Sequence, residues 1–352
     1  MIDLLPYLKS LVSVSGLSGF ESPICKSVSA AWQPLVDELS ISRLGSLHGL
    51  CFGTDPQPRH RLMISAHMDA VGLMVTGVVD GLLRVTEIGG IDARVLPGQA
   101  VIVHARQDLP AVVVQPPAAL LPPEYSKGPV AMEYLWVDTG LLPTQVAELV
   151  RVGDPISFAQ LPVELTGDTL CGHSLDNRAS VAALTICLDE LRSRTHGWDV
   201  WAVASAQEET GVRGAYTSSF QLRPDAAIAI DVTFAKGPGS NDYDTFPLGK
   251  GITLGWGPNI HPALFKKIEA IARQMEIPFE TEVMPRYSGT DAEGLQVTAE
   301  GIPTIVICIP LRYMHTPVEV VSLKDIRRAG RLLTEFACHL EPDFIEKITW
   351  DK

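Results

Sequence analysis

The chain has 352 residues, a formal net charge of −13, 46% hydrophobic residues and 20% charged residues. An apolar content this high, with so low a density of charge, excludes an intrinsically disordered protein. The acidic balance argues against nucleic acid or an anionic membrane as the main partner, because both require a cationic protein surface.

The N-terminal segment predicts a helix of the folded protein. Residues 1–16 read MIDLLPYLKSLVSVSG and lack the basic region that begins a signal peptide. No run of about 18 uninterrupted apolar residues occurs, so we expect no membrane span. The six cysteines are scattered without a CxxC pair, which is typical of reduced core residues. Together these features predict a cytoplasmic protein.

Short apolar runs predict the buried strands of a sheet. They lie at 62–66, 200–206, 226–230 and 304–309, with a weaker run at 252–256. Runs that are apolar throughout and bounded by polar residues favour a sheet that is covered on both faces. Segments with helical spacing lie at 178–192, 263–275 and 323–340. The alternation of strand and helix signals predicts an α/β fold.

Residues 73–164 show a different pattern. Short apolar segments alternate there with Gly, Pro and Asp turns, without helical periodicity. This pattern predicts a small β-barrel or sandwich. The chain length suits a domain that carries a large insertion, so we expect one α/β domain formed by 1–72 and 165–352, interrupted by 73–164. A Pro/Gly-rich stretch at 236–257 predicts a long loop.

Side chains that can ligate a metal follow the predicted strands or lie in a loop between them. In chain order they are His67, Asp69, Asp176, Glu208, Glu209, Asp231 and His315. Because ligands bind beyond the carboxyl ends of strands in open α/β sheets, we expect these side chains to converge on one cleft. Each is ambiguous alone, since paired glutamates are usually solvated and an Asp at a strand end often caps a helix. Only the joint pattern indicates a site.

The residue types suit two divalent ions. Two imidazoles and three carboxylates can hold such a pair when one carboxylate bridges it. Mixed imidazole and carboxylate ligation favours Zn, Co or Mn over Cu(I) or Ca. A spare carboxylate can take a proton from the attacking water and return it to the leaving amine. Glu208 and Glu209 suit this division, since adjacent side chains point in different directions. His173, close to Asp176, is a further candidate ligand.

Six segments in order carry a resemblance to a known family: AHMD, SLDNR, AQEETGVRGA, AIDVT, SGTDAE and RYMHTP. Together they resemble the M42 metallo-aminopeptidases over nearly the whole chain. The resemblance implies a zinc-peptidase-like domain, with a mixed sheet flanked by helices and an inserted small β-barrel. It also implies removal of the N-terminal residue from short peptides by a water that bridges two metal ions, Zn or Co or else Mn. Members form homo-oligomers, from dimers to tetrahedral dodecamers.

The resemblance also assigns roles to residues of this sequence. The implied metal ligands are His67 and Asp231 for one ion, Glu209 and His315 for the other, and Asp176 as the bridge. Glu208 would be the general base and acid, and Asp69 would hydrogen-bond the far nitrogen of His67. Ala70, Glu293 and the pair at 179–180 depart from the family pattern, but none of them removes a ligand.

Alternatives remain open at this stage. A related two-metal carboxypeptidase or amide deacylase would use a similar metal set, and Arg286 or Arg312 could then bind a substrate carboxylate. A non-catalytic assembly protein would be expected to lack ligands, whereas here every position is filled. For the N-terminal residue of a peptide, an acidic preference could use Arg286, and a basic one Glu293 or Asp242.

Overall fold

The computed structural model describes residues 2–125 and 127–350. The helices are α1 (Leu4–Val12), α2 (Ser22–Trp32), α3 (Pro143–Leu149), α4 (Leu175–Leu191), α5 (Arg213–Leu222), α6 (Pro262–Gln274), α7 (Ala292–Gln296), α8 (Leu323–Cys338) and α9 (Phe344–Lys347). The first nine strands are β1 (Glu38–Ile41), β2 (Leu47–Cys51), β3 (Arg61–His67), β4 (Gly72–Val79), β5 (Leu82–Ile88), β6 (Ala100–His104), β7 (Asp108–Val114), β8 (Trp136–Asp138) and β9 (Pro155–Phe158). The remaining strands are β10 (Val163–Leu165), β11 (Thr169–Gly172), β12 (Asp199–Ser205), β13 (Ala226–Phe234), β14 (Ile252–Trp256), β15 (Phe279–Val283), β16 (Thr304–Arg312) and β17 (Glu319–Ser322).

The larger sheet is mixed and has the order β1-β2-β12-β3-β13-β16-β17-β11-β10, with β14 pairing with β15 and β16 off this path. Its centre is parallel, because β12, β3, β13 and β16 run in the same direction. The strands β2, β14 and β17 pair antiparallel with this centre. The α/β fold with a mixed sheet is therefore confirmed.

The apolar runs predicted from the sequence are the central strands. Strands β3, β12, β13 and β16 are buried along most of their length, which explains why their sequences are apolar without alternation. The weaker run at 252–256 is β14, so the long loop predicted over 236–257 ends where this strand begins. The predicted loop was therefore too long, because Ile252 and Leu254 are buried in the sheet.

Helix α4 lies at the centre of the main domain. It packs on α1, α8, β3 and β13, and nearly all its side chains are buried. Helix α8 buries one face in its first half, with Ile326 and Ala329 at helical spacing, and is buried all round from Leu332 to Ala337. The predicted helices 178–192, 263–275 and 323–340 match α4, α6 and α8 within three residues at each end.

Strands β4 to β9 close into a barrel of order β4-β5-β8-β7-β6-β9, so the predicted small barrel is present. The buried side chains of the barrel form one apolar cluster, and those of the larger sheet and its helices form another. On this separation we propose the domain division 1–72, 73–164 and 165–352, in which the middle part is the inserted domain and its last two residues begin β10 of the larger sheet.

Membrane-spanning helices and disulfides can be assessed over the described part of the chain. No helix there is both long and apolar enough to cross a bilayer. The six cysteines are all free, and Cys25, Cys51, Cys187 and Cys308 are buried. The sequence predicted reduced cysteines in the core, and these four cysteines are both free and buried.

The domain division predicts that a cavity in one apolar cluster loosens that domain alone. Replacing the fully buried barrel residue Leu83 by Ala should lower the free energy of unfolding by about 2–5 kcal/mol. Hydrogen–deuterium exchange should accelerate within 73–164 and change little within 165–352. The matched variant Leu332→Ala, in the other cluster, should show the reverse. Acceleration over the whole chain in both variants would mean that the two parts unfold as one unit.

Candidate metal centre

The carboxyl ends of the parallel strands bring the predicted residues to one edge of the sheet. His67 is the last residue of β3 and lies beside Ser205, the last residue of β12. Asp231 lies within β13 and not after it, because pairing with β16 continues as far as Phe234. The predicted end of that strand at residue 230 was therefore too early, although the side chain still reaches the same edge.

Asp176 lies between the two histidines. Its Oδ1 is 3.1 Å from Nε2 of His67, and its Oδ2 is 3.3 Å from Nε2 of His315. His67 Nε2 is also 3.6 Å from Oδ1 of Asp231, and His315 Nε2 is 3.5 Å from Oε2 of Glu209. The five predicted ligands therefore form one cluster in which the two oxygens of Asp176 face different imidazoles.

Glu208 borders this cluster, with its Oε2 at 3.9 Å from Nε2 of His67. The turn after β12 is tight, since Gln207 has a φ of 56° and Val212 a φ of 47°. Non-glycine residues rarely adopt this left-handed conformation, and they do so mainly where the surrounding structure holds them. The turn directs Glu208 and Glu209 towards the histidines.

Asp69 fixes that turn. Its Oδ1 accepts the backbone N–H of Glu208 at 3.0 Å, and its Oδ2 accepts that of Glu209 at 3.2 Å. The far nitrogen of His67, Nδ1, is 3.1 Å from the main-chain oxygen of Asp69 and 3.6 Å from its carboxylate. The contact expected between Asp69 and His67 is thus made by the main chain, while the carboxylate positions the two glutamates.

Glu319 holds the opposite side of the centre and was missed by the sequence analysis. This buried carboxylate accepts the backbone N–H of Asp176 through Oε2 at 3.1 Å and that of His315 through Oε1 at 2.9 Å. It thereby fixes two sharp turns, at the non-helical Asp176 in α4 and at His315, whose φ is 60°. The only signal in the sequence was one acidic residue that begins the apolar run EVVS.

The charges in the cluster are unbalanced in favour of carboxylates. Burial raises the pKa of Glu208 and of Glu209 well above the usual range, and neighbouring carboxylates add to the shift. Burial also raises the pKa of Asp231 to about 6, although His67 opposes it. For His67 itself, burial lowers the pKa, but the carboxylates of Glu208 and Asp231 outweigh burial and hold it well above the usual value. Such a site gains free energy from a bound cation.

The residues fit a divalent metal ion. Ligand atoms of His67, Asp176 and Glu209 all lie within 4.8 Å of one another. Over the residues that the structure describes, Oε1 of Glu209 is buried and has no hydrogen-bond partner. Because buried polar atoms are normally paired, this oxygen indicates a partner such as a cation. The set of imidazole and carboxylate donors suits Zn, Co or Mn.

The cluster opens into a cavity of about 490 Å³. Glu282, Met284 and Glu293 line its walls, and no Lys or Arg does so within the described ranges. Arg286 and Arg312, the cations considered for a substrate carboxylate, are absent from this lining. Asp242 and His173 also lie elsewhere; His173 contacts Ser174 at 2.7 Å and lines a different cavity.

Comparison with known proteins gives consistent matches. The family model of the M42 glutamyl aminopeptidases matches residues 49–332. Lysyl aminopeptidase of Pyrococcus furiosus is 34% identical over 95% of this chain and 97% of its own length. A TET aminopeptidase structure from a marine sediment archaeon of the Thaumarchaeota gives a TM-score of 0.93 at 29% identity, covering 98% of this chain and 99% of the other. The TET1 peptidase of Pyrococcus horikoshii, described as assembling into a tetrahedron or a large octahedral shell, gives 0.84 at 27% identity, covering 96% and 100%.

The position of Glu319 predicts that its neutral isostere weakens metal binding. In Glu319→Gln one side-chain atom becomes an N–H donor, which would face the backbone N–H of Asp176 or of His315. We expect the affinity for Zn or Co to fall about 10- to 100-fold, the usual effect of losing a group that orients ligands. Competition with a chromogenic chelator measures this. The exposed Glu300→Gln is the control, and equal affinities in the two variants would remove the orienting role of Glu319.

Proposed function

The chain belongs to the M42 glutamyl aminopeptidase family, as its motifs predicted, and we propose that it removes the N-terminal residue of short peptides with two divalent ions. The observation that carries the proposal is the position of Asp176, whose two oxygens face the imidazoles of His67 and His315. A carboxylate placed in this way suits a ligand shared by two ions.

Two sets of residues would hold the ions, Zn or Co or else Mn. His67, Asp231 and Asp176 form the first, and His315, Glu209 and Asp176 form the second. Ions bound there would polarise the scissile carbonyl and lower the pKa of the attacking water. Asp69 and Glu319 keep both sets in place through the backbone N–H groups they accept.

Glu208 is the proposed general base and acid. Its Oε2 lies beside the first set without belonging to it, and its backbone N–H is held by Asp69. Oε2 takes the proton of the attacking water and then returns it to the nitrogen of the leaving amine. A raised pKa suits both steps, since a catalytic group works best when its pKa lies near the pH of the reaction.

The cavity favours the amino end of a peptide over the carboxyl end. A carboxypeptidase needs a cation for the substrate carboxylate, but no Lys or Arg of the described chain lines the cavity. The carboxylates of the cluster can instead attract the free α-ammonium of a substrate. The names of related proteins do not decide which residue is removed, because the family is named for glutamyl substrates and the Pyrococcus furiosus relative for lysyl substrates.

Assembly belongs to the same proposal. The TET1 peptidase of Pyrococcus horikoshii, which matches 96% of this chain, can assemble into a tetrahedron or a large octahedral shell. We propose a homo-oligomer for this protein, from a dimer to a tetrahedral dodecamer. A shell of that kind would admit short peptides and exclude folded proteins.

The free amine of the substrate provides the decisive test. Aminoacyl-p-nitroanilides should be hydrolysed when Zn, Co or Mn is present, and treatment with EDTA should abolish the activity until metal is restored. The matched N-acetylated compounds should be cleaved at least about 100-fold more slowly, because they lack the ammonium group that the acidic cluster binds. Release of acetate from the N-acetylated compounds would favour a deacylase, and release of C-terminal residues from peptides would favour a carboxypeptidase.

The role of Glu208 predicts a separation of activity from metal binding. Glu208→Gln should keep the metal content of the unmodified protein and lose about 10²- to 10⁴-fold in kcat, since the amide accepts no proton from water. Elemental analysis and kinetics on the same sample measure both quantities. Asp176→Asn is the contrasting variant and should lose metal. Near-normal turnover in Glu208→Gln would assign the base to another residue.

A further inference from the structure

One acidic side chain of the cavity has no part in the mechanism described above. Glu282, on β15, lines the same cavity as His67 and Asp231. Its Oε1 accepts from Oγ1 of Thr233 at 2.7 Å, and its Oε2 accepts from Oγ1 of Thr253 at 2.6 Å. The carboxylate is therefore held in one orientation by two hydroxyl groups on neighbouring strands.

Strand β13 relates Glu282 to the proposed metal centre through Thr233. Asp231 and Thr233 are two residues apart on this strand, so their side chains project from the same face. Two residues of a strand span roughly 6.6 Å. The cavity thus extends along this face from the ligand Asp231 to the carboxylate that Thr233 holds.

The charge of Glu282 has no cationic partner within the described part of the chain. None of the ion pairs found there includes Glu282, and Asp244 adds a repulsive charge. Burial raises the pKa of Glu282, although the two threonine hydroxyls and the thiol of Cys308 oppose this shift. A carboxylate offers about four acceptor positions, so these three donors leave one position for a ligand.

The remaining walls suit a side chain with an apolar stem. Val232, Met284 and Met314 line the cavity together with Glu282. Lys and Arg carry their charge at the end of a methylene chain that packs on apolar surfaces. An acidic side chain would instead meet Glu282 and Glu293, and no Lys or Arg lines the described cavity to compensate. Glu293 accepts the backbone N–H of Gly289 at 2.6 Å within its own turn, whereas Glu282 is held by side chains of β13 and β14 beside the ligand Asp231, which makes Glu282 the carboxylate that we relate to the substrate.

We propose that Glu282 lies at the far end of the pocket for the N-terminal residue and selects substrates whose first side chain is cationic, namely lysine or arginine. The inference rests on the proposed aminopeptidase function and names the substrate class of that site. Thr233 and Thr253 act as positioning residues, because they orient the carboxylate that would meet the substrate ammonium.

Three p-nitroanilides test the proposal on the metal-loaded protein: L-lysyl, L-norleucyl and L-glutamyl. Norleucine has the same four-carbon stem as lysine without the charge, so the ratio of kcat/KM for these two substrates isolates the contribution of the ammonium group. The unmodified protein should prefer the lysyl over the norleucyl compound at least tenfold and should cleave the glutamyl compound most slowly.

Glu282→Gln should lower the lysyl to norleucyl ratio about 10- to 100-fold, on the scale of a hydrogen bond between charged groups. Activity on the norleucyl compound should change less than about threefold, which shows that the variant is folded and metal-loaded. Glu280→Gln is the matched control, an exposed glutamate on the same strand, and should leave the ratio unchanged. An unaltered ratio in Glu282→Gln, or an equal loss on both substrates, would overturn the proposal.

Calorimetric titration of free L-lysine and L-norleucine gives a readout that does not depend on turnover. Lysine should bind more tightly than norleucine to the unmodified protein and lose that advantage in Glu282→Gln. If none of the three p-nitroanilides is hydrolysed, the aminopeptidase function fails and calorimetry alone decides whether Glu282 binds a cation. If the norleucyl compound is cleaved as well as the lysyl compound, the function stands and the selection by Glu282 is wrong.

Discussion

The shared position of Asp176 between His67 and His315 is the interaction on which the rest of the site depends. One carboxylate can face two imidazoles only if the first residues of α4 leave the helical conformation and the turn after β16 approaches them closely. Glu319 meets both requirements at once, because it accepts backbone N–H groups from Asp176 and His315. The geometry of the candidate metal centre therefore depends on a buried carboxylate outside the proposed ligand set.

A cluster so rich in carboxylates costs free energy in a protein without cations, because burial and mutual repulsion both disfavour the charged forms. The cluster that carries this cost lies at the edge of an otherwise apolar core. Strands β3, β12 and β13 are buried along most of their length, and α4 is buried on nearly every side. A rigid support of this kind holds like charges close together and also holds Gln207, Val212 and His315 in left-handed backbone conformations.

The same cavity separates two kinds of acidic residue. Those near His67 and His315 bind metal or move a proton in the proposed mechanism, whereas Glu282, on β15, accepts hydrogen bonds from hydroxyl and thiol donors beside β13. In our proposals the first group would carry out the reaction, and Glu282 would select the substrate side chain. The proposed reaction and the proposed selectivity would thus depend on residues of different strands of one sheet.

By itself, the sequence determined the family, the α/β sheet, the inserted barrel and the list of candidate ligands. Apolar runs reveal strands that are buried on both faces, and the strand-end residues His67 and Glu209 are visible in motifs of a few residues. The sequence left open the extent of the 236–257 loop and the place of Asp231 within β13, because strand ends depend on pairing with distant strands. Glu319 and Glu282 could not be identified either, since each is a single acid in an ordinary segment. Only the tertiary structure revealed their contacts, because Glu319 meets Asp176 across 143 residues and Glu282 meets Thr233 across 49.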